Sequence, residues 1–161
     1  MSRIVVGVDG SADSRAALAW SVDQARRIDA QVVVVHVYGL SDEHNPYLTA
    51  FSSFGSGAGA RGAVGESERW RTERSEATYR QASGVLSSIV TEVVGDEADV
   101  VVDQVAKSGG RPARALLEEA RDCALLVVGA RGRGGFRGLR LGSIAEKCVR
   151  HAPCSVMVVR A

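Results

Sequence analysis

Five short apolar runs punctuate this chain: Ile4–Val8, Val32–Val37, Val100–Val105, Leu125–Val128 and Ser155–Val159. They are mostly continuous rather than alternating, the pattern of strands covered on both faces in a parallel sheet. Parallel neighbours need crossover connections, and the intervening stretches supply them. Leu18, Val22, Ala25 and Ile28 recur at helical spacing, with Asp13 or Ser14 available as a cap. Val85, Leu86, Ile89, Val90 and Val93 form a second stripe that extends back through Ala77 to Trp70, Leu116, Leu117 and Ala120 a third behind Pro112, and Ile144–Arg150 a fourth stopped by Pro153. The expected fold is α/β, an open five-stranded parallel sheet with helices on both faces, Rossmann-like, in one domain spanning residues 1–161.

Two stretches break this rhythm. Residues 39–66 lose periodicity and fill with Gly, Ser and Ala, longer than an ordinary connection. They read either as a disordered surface excursion or as a flap over a ligand. The other is Gly129–Ser143, with six glycines and four arginines between the fourth apolar run and the fourth helix. A glycine-rich loop that leaves a strand and enters a helix presents unpaired amides and the positive end of the helix dipole to one point, which suits phosphate. Neither GxxxxGK[ST] nor GxGxxG fits it. Ser143 stands at the helix start, where its hydroxyl either meets a phosphate or closes a capping box with Glu146.

Gly129, Gly132, Gly142 and Ser143 do match another spacing, Gly, two residues, Gly, nine residues, Gly, then Ser or Thr. With the flanks LLVVG and RHAPCSVMVV, this resembles the nucleotide-binding type of the universal stress protein family. Ala130 departs from it where a small hydroxyl residue is frequent. The resemblance implies an ATP site with Mg²⁺: Asp9 at the end of strand one, the backbone of Val37 beside the adenine, Val128 against the base, and Gly129, Gly132, Gly142 and Ser143 around the phosphates. It also implies a homodimer paired through Ser155–Val159. On residue chemistry alone, Asp9 reads either as an acceptor for ribose or adenine donors or as a turn residue. Arg131 or Arg133 reads as a phosphate contact, with Arg137 and Arg140 solvated.

Twenty basic against nineteen acidic residues leave a net charge of +1, with no global field to draw nucleic acid or a membrane. No apolar run approaches the roughly 20 residues of a membrane span. Cys123, Cys148 and Cys154 cannot all pair, which suggests a reduced, cytoplasmic setting. Cys148, His151 and Cys154 space as C-x2-H-x2-C but lack a fourth ligand and are split by Pro153, so zinc is not expected. His36, among valines, reads as a core or dimer-region residue. The leading function is a regulatory ATP-binding module in stress response rather than a fast enzyme, slow ATP hydrolysis aside. Two alternatives are an ATP pyrophosphatase-like enzyme using Gly10–Ser14, whose GSADS resembles an SGGxDS loop, and a nucleotide-free interaction protein.

Overall fold

The computed structural model describes residues 2–39, 64–95, 99–133 and 141–161, with side chains of the long second helix from Ser75 onward. Five strands, β1 (Ser2–Gly7), β2 (Ala30–Tyr38), β3 (Val102–Ser108), β4 (Leu125–Gly129) and β5 (Ser155–Val159), form one sheet in the order β3-β2-β1-β4-β5. Every neighbouring pair is parallel. Among the described residues the connections are α1 (Ala12–Ile28), α2 (Val64–Val94), α3 (Pro112–Glu119) with a 3-10 turn at Ala120–Asp122, and α4 (Ser143–His151).

Alternation along the inner strands divides the core in two. Ile4, Val6, Val32, Val34 and Val127 pack with Leu18 and Val22 of α1 and Leu86 and Ile89 of α2. Val5, Val33, Val35, Leu126 and Val128 pack with Leu116 of α3 and Ala145 and Cys148 of α4 on the other face. Burying a Val or Leu side chain fully contributes roughly 1.5–3 kcal/mol before entropy is counted. The chain covers one face while winding outward from β1 to β3, then crosses over and covers the other from β4 to β5. β1 and β4 are therefore the place where the winding reverses, and ligands of such sheets bind beyond the strand ends there.

Several local expectations shift. The cap of α1 is Ser11, whose Oγ accepts from Ser14 N–H at 3.3 Å, rather than Asp13 or Ser14. The buried stripe of α2 is Ala82, Leu86, Ile89, Val90, while Val85 is exposed because it lies about 100° round the helix from Leu86. That helix begins at Val64, so the irregular stretch is shorter than residues 39–66, and the flap-or-excursion question at residues 40–63 lies outside the described residues. β3 starts two residues late and exposes Asp103 and Gln104, since it is an edge strand rather than one covered on both sides. Gln31 Nε2 donates to Asp103 Oδ2 there. No helix among the described residues is long and apolar enough to cross a membrane.

Candidate functional site

A cleft of about 650 Å³ opens beyond the carboxyl ends of β1 and β4, within the range of small-molecule sites. Asp9, Val37, Val128, Gly129, Arg131, Gly132, Gly142 and Ser143 all line it, and the sheet order has brought them together from three strand ends and one helix start.

One part of the lining is built from α4. Its N-cap is Gly142, whose N–H donates to Ala130 O at 2.7 Å, and the first helical bond runs from Glu146 N–H to Gly142 O at 2.9 Å. The amides of Ser143, Ile144 and Ala145 precede that bond and stand at the cleft wall, the donor set a phosphate needs. The capping box is not made: Glu146 pairs with Arg150 at 2.8 Å, and Gly142 rather than Ser143 is the cap. Ser143 is exposed as the first helical residue.

Asp9 does more than wait for a ligand. Its Oδ1 accepts from Ser11 N–H at 3.0 Å and Ser11 Oγ–H at 2.6 Å, and its Oδ2 accepts from Arg133 N–H at 3.0 Å. It thus pins the glycine loop to the end of β1. Gly132 makes this approach possible, because a Cβ there would lie 2.6 Å from Asp9 Oδ2. Burial opposes ionisation of Asp9 and is the largest single influence, but the bonds from Ser11, Arg133 and Ser14 together hold its carboxyl below the ordinary value of 3.8. A folded-state carboxyl more acidic than the unfolded one contributes stability that is complete above the unfolded value, about 4, and is lost as pH falls through the folded value. Asp9→Asn should therefore flatten the acid limb of a stability-against-pH profile below about pH 4. Thermal melts from pH 7 to 2 check this, and a limb as steep as wild type would contradict it.

The arginines differ from each other. Arg131 turns its Nε toward Asp13 Oδ2 at 3.5 Å, and its N–H donates to the same oxygen at 3.0 Å. Arg133 lies over Gly10, where a Cβ would meet Nη2 at 2.7 Å, and makes no ion pair with a described residue. Of the two, Arg133 has the guanidinium available to an anion. Arg137 and Arg140 lie outside the described residues.

At the opposite wall, Val37 lies two residues past the last β1–β2 pair, Gly7 with Val35. Val35 O accepts from Val8 N–H at 2.9 Å, so ladder parity turns the Val37 N–H and C=O to the same side, where β1 has already ended. His36 Nδ1 is bonded to Val8 O at 2.9 Å, an anchor for the strand end. Val128 is 3 % exposed and shows the cleft only its outer edge. Ala130 is buried too, its N–H donating to Val159 O at 2.7 Å.

Asp13 is the residue that sequence reasoning missed. It is 6 % exposed; Oδ2 holds Arg131 as described, and Oδ1 accepts from Ala161 N–H at 3.2 Å. An acidic residue in the first turn of a helix carries no sign of this. Gly129 lets it in close, since a Cβ there would be 2.8 Å from Asp13 C and Ser14 N. Among the described residues no three His, Cys, Asp or Glu side chains converge to hold a metal.

The universal stress protein family model matches residues 1–160. The universal stress protein Rv2623 of Mycobacterium tuberculosis is 31% identical over 157 residues, covering 98% of this chain and 44% of that protein. The chain spans about half the length of the curated relatives it matches. Among solved structures, the universal stress protein UspA from Lactobacillus plantarum aligns with a TM-score of 0.71 at 24% identity, over 99% of this chain and 97% of that one. The universal stress protein from Archaeoglobus fulgidus in complex with dAMP aligns with a TM-score of 0.55 at 18% identity, over 99% and 98%. The likeness to these structures is one of fold, and the family match runs through strands, glycine loop and last strand alike: the chain belongs to the universal stress protein family.

Proposed function

We propose that this chain binds ATP in the β1–β4 cleft and acts as a regulatory module in stress response, not as a fast enzyme. The observation that carries the reading is that one cleft is lined by the start of α4 (Ser143, Ile144 and Ala145), by Arg133, whose guanidinium lies over Gly10, and by Val37 past the end of the β1–β2 pairing. The helix start and Arg133 suit phosphates and the Val37 backbone an adenine edge, while Asp9 and Gly132 hold the glycine loop at the end of β1. The dAMP bound by the Archaeoglobus relative supports an adenine nucleotide as the ligand class. Gly132, where a side chain would collide with Asp9, lets the loop lie against the end of β1 and so keeps its backbone at the cleft. Mg²⁺ would arrive on the phosphates, which would supply most of its ligands.

Asp9 is the only carboxylate among the described lining residues, and with its carboxyl held below the ordinary range it is a weak base for activating water. The pyrophosphatase-like alternative needs free amides at Gly10–Ser14. Here Ser11 N–H is taken by Asp9 and Ser14 N–H by Ser11 Oγ, which favours the binding module. The proposal includes a homodimer through β5, an edge strand whose outward groups have no partner strand among the described residues.

Calorimetric titration with ATP, AMP and cyclic AMP, each with and without Mg²⁺, tests the ligand. ATP should bind at least about tenfold tighter than AMP, about 1.4 kcal/mol, because only its outer phosphates reach both Arg133 and the α4 amides. AMP binding as tightly as ATP would remove the outer phosphates from the site, and no heat with any of the three would end the nucleotide reading. Mass spectrometry of a denatured extract would show which nucleotide survives purification.

A further inference from the structure

Away from the cleft, at the opposite end of the sheet, two half-buried thiols face each other. Cys123 closes the 3-10 turn two residues before β4, and Cys154 lies one residue before β5. Leu125 and Ser155 are register partners, so the two strand entrances run side by side. The sulfurs are 3.4 Å apart, about 1.4 Å more than a disulfide bond. Both cysteines precede their strands, where the chain is free of the β4–β5 ladder and can close that gap. Cys148, the third cysteine, is fully buried on α4. The spacing C-x2-H-x2-C had drawn attention to Cys148 and Cys154, but the partner that Cys154 touches is 31 positions earlier in the chain.

We propose that Cys123 and Cys154 are an oxidation site, at which a small peroxide such as hydrogen peroxide converts the pair into an intramolecular disulfide. One thiol loses its proton and its sulfur attacks a peroxide oxygen; the O–O bond breaks and the departing oxygen leaves as water. The resulting sulfenic acid is attacked by the second sulfur, the S–O bond breaks as the S–S bond forms, and a second water leaves. Two thiols and one peroxide thus give one disulfide and two waters, the sulfurs losing two electrons and the peroxide gaining them. Burial first, then the hydrogen bond and charge of Cys154, push the Cys123 thiol up to about 12. Cys123 is held as a thiol at neutral pH, and since each sulfur is the other's neighbour at 3.4 Å, whichever is oxidised first is resolved by its partner. The reaction should be slow near pH 7 and faster as pH rises.

The bond would close a ring containing β4, the glycine loop and α4, with its clasp at the far end of the sheet from the cleft. Ring closure restricts the unfolded chain, so the oxidised protein should melt higher while the site stays open. The test treats the full chain with hydrogen peroxide, blocks remaining thiols, and maps peptides without reduction. The expected result is a monomer lighter by two hydrogens, one linked Cys123–Cys154 peptide pair, a raised Tm and reversal by dithiothreitol. Cys148→Ser should behave alike, and Cys123→Ser should leave a dimedone-trappable sulfenic acid on Cys154. The wild-type map alone decides if a variant does not fold. A link involving Cys148, a disulfide between chains, sulfinic acid, or free thiols after prolonged peroxide at about pH 8.5, the ordinary thiol value, would each overturn the proposal.

Discussion

Gly132→Val is expected to weaken nucleotide binding about a hundredfold, about 2.7 kcal/mol, with helix content and melting little changed. A Cβ at that position would stand 2.6 Å from Asp9 Oδ2, closer than real Cβ contacts come. Asp9 is a short side chain tied by Ser11 from one side, so it yields only by releasing Arg133 N–H. The loop then leaves the end of β1, and Arg133 goes with it. Gly142→Val should cost less than this. Gly142 has φ −76°, an ordinary value, so no left-handed conformation is needed there, and its nearest clash would be Ala130 O at 3.3 Å. The same calorimetry compares the two variants. Gly132→Val binding within tenfold of wild type, with the fold intact, would sink the role given to this glycine.

The second large effect is at the sheet edge. Combining Val158→Pro with Met157→Lys should turn a dimer into a monomer at micromolar concentration. Ala130 N–H donates to Val159 O, so Val159 and, by parity, Met157 direct their backbone groups to β4. Val156 and Val158 direct theirs outward. Proline is tolerated where the lost N–H faced outward, and there it removes a donor from any partner strand. Proline at Met157 and lysine at Val158 would instead break the β4 ladder and push a charge toward the core that Val158 packs against. Met157 is 36 % exposed and can carry the lysine. Sedimentation velocity decides: a monomeric wild type, or an unchanged dimer in the folded double variant, places the interface elsewhere or nowhere.

Much of the architecture was legible because buried parallel strands write themselves as apolar runs. Ser155–Val159 falls where the sequence put it, and Pro112 opens α3 as expected. β3 was read two residues early because Val100 and Val101 extend the apolar run, although Val100 belongs to the core beneath the strand and Val101 is exposed. At the site, the glycine spacing located the loop, and the sheet order gathered the residues it named. The partners were not legible. Whether Asp13 caps a helix or reaches a loop 118 residues away depends on which strand lies beside β1, and no local pattern encodes that. Arg131 and Arg133 look alike in sequence, yet Asp13 takes the guanidinium of the first while Asp9 takes only the backbone N–H of the second.

Asp13 leaves one more mark on how this molecule must move. Its two oxygens belong to a single rigid plane; one holds the backbone of Arg131 and the other that of Ala161. The segment that follows β4 and the segment that follows β5 are therefore fastened to the same few atoms at the head of α1. Neither can shift by an ångström without stretching a bond to the other or tilting the helix start beneath both. Such a pin makes the floor of the cleft and the outgoing chain one mechanical part, and flexibility in this region is shared between them.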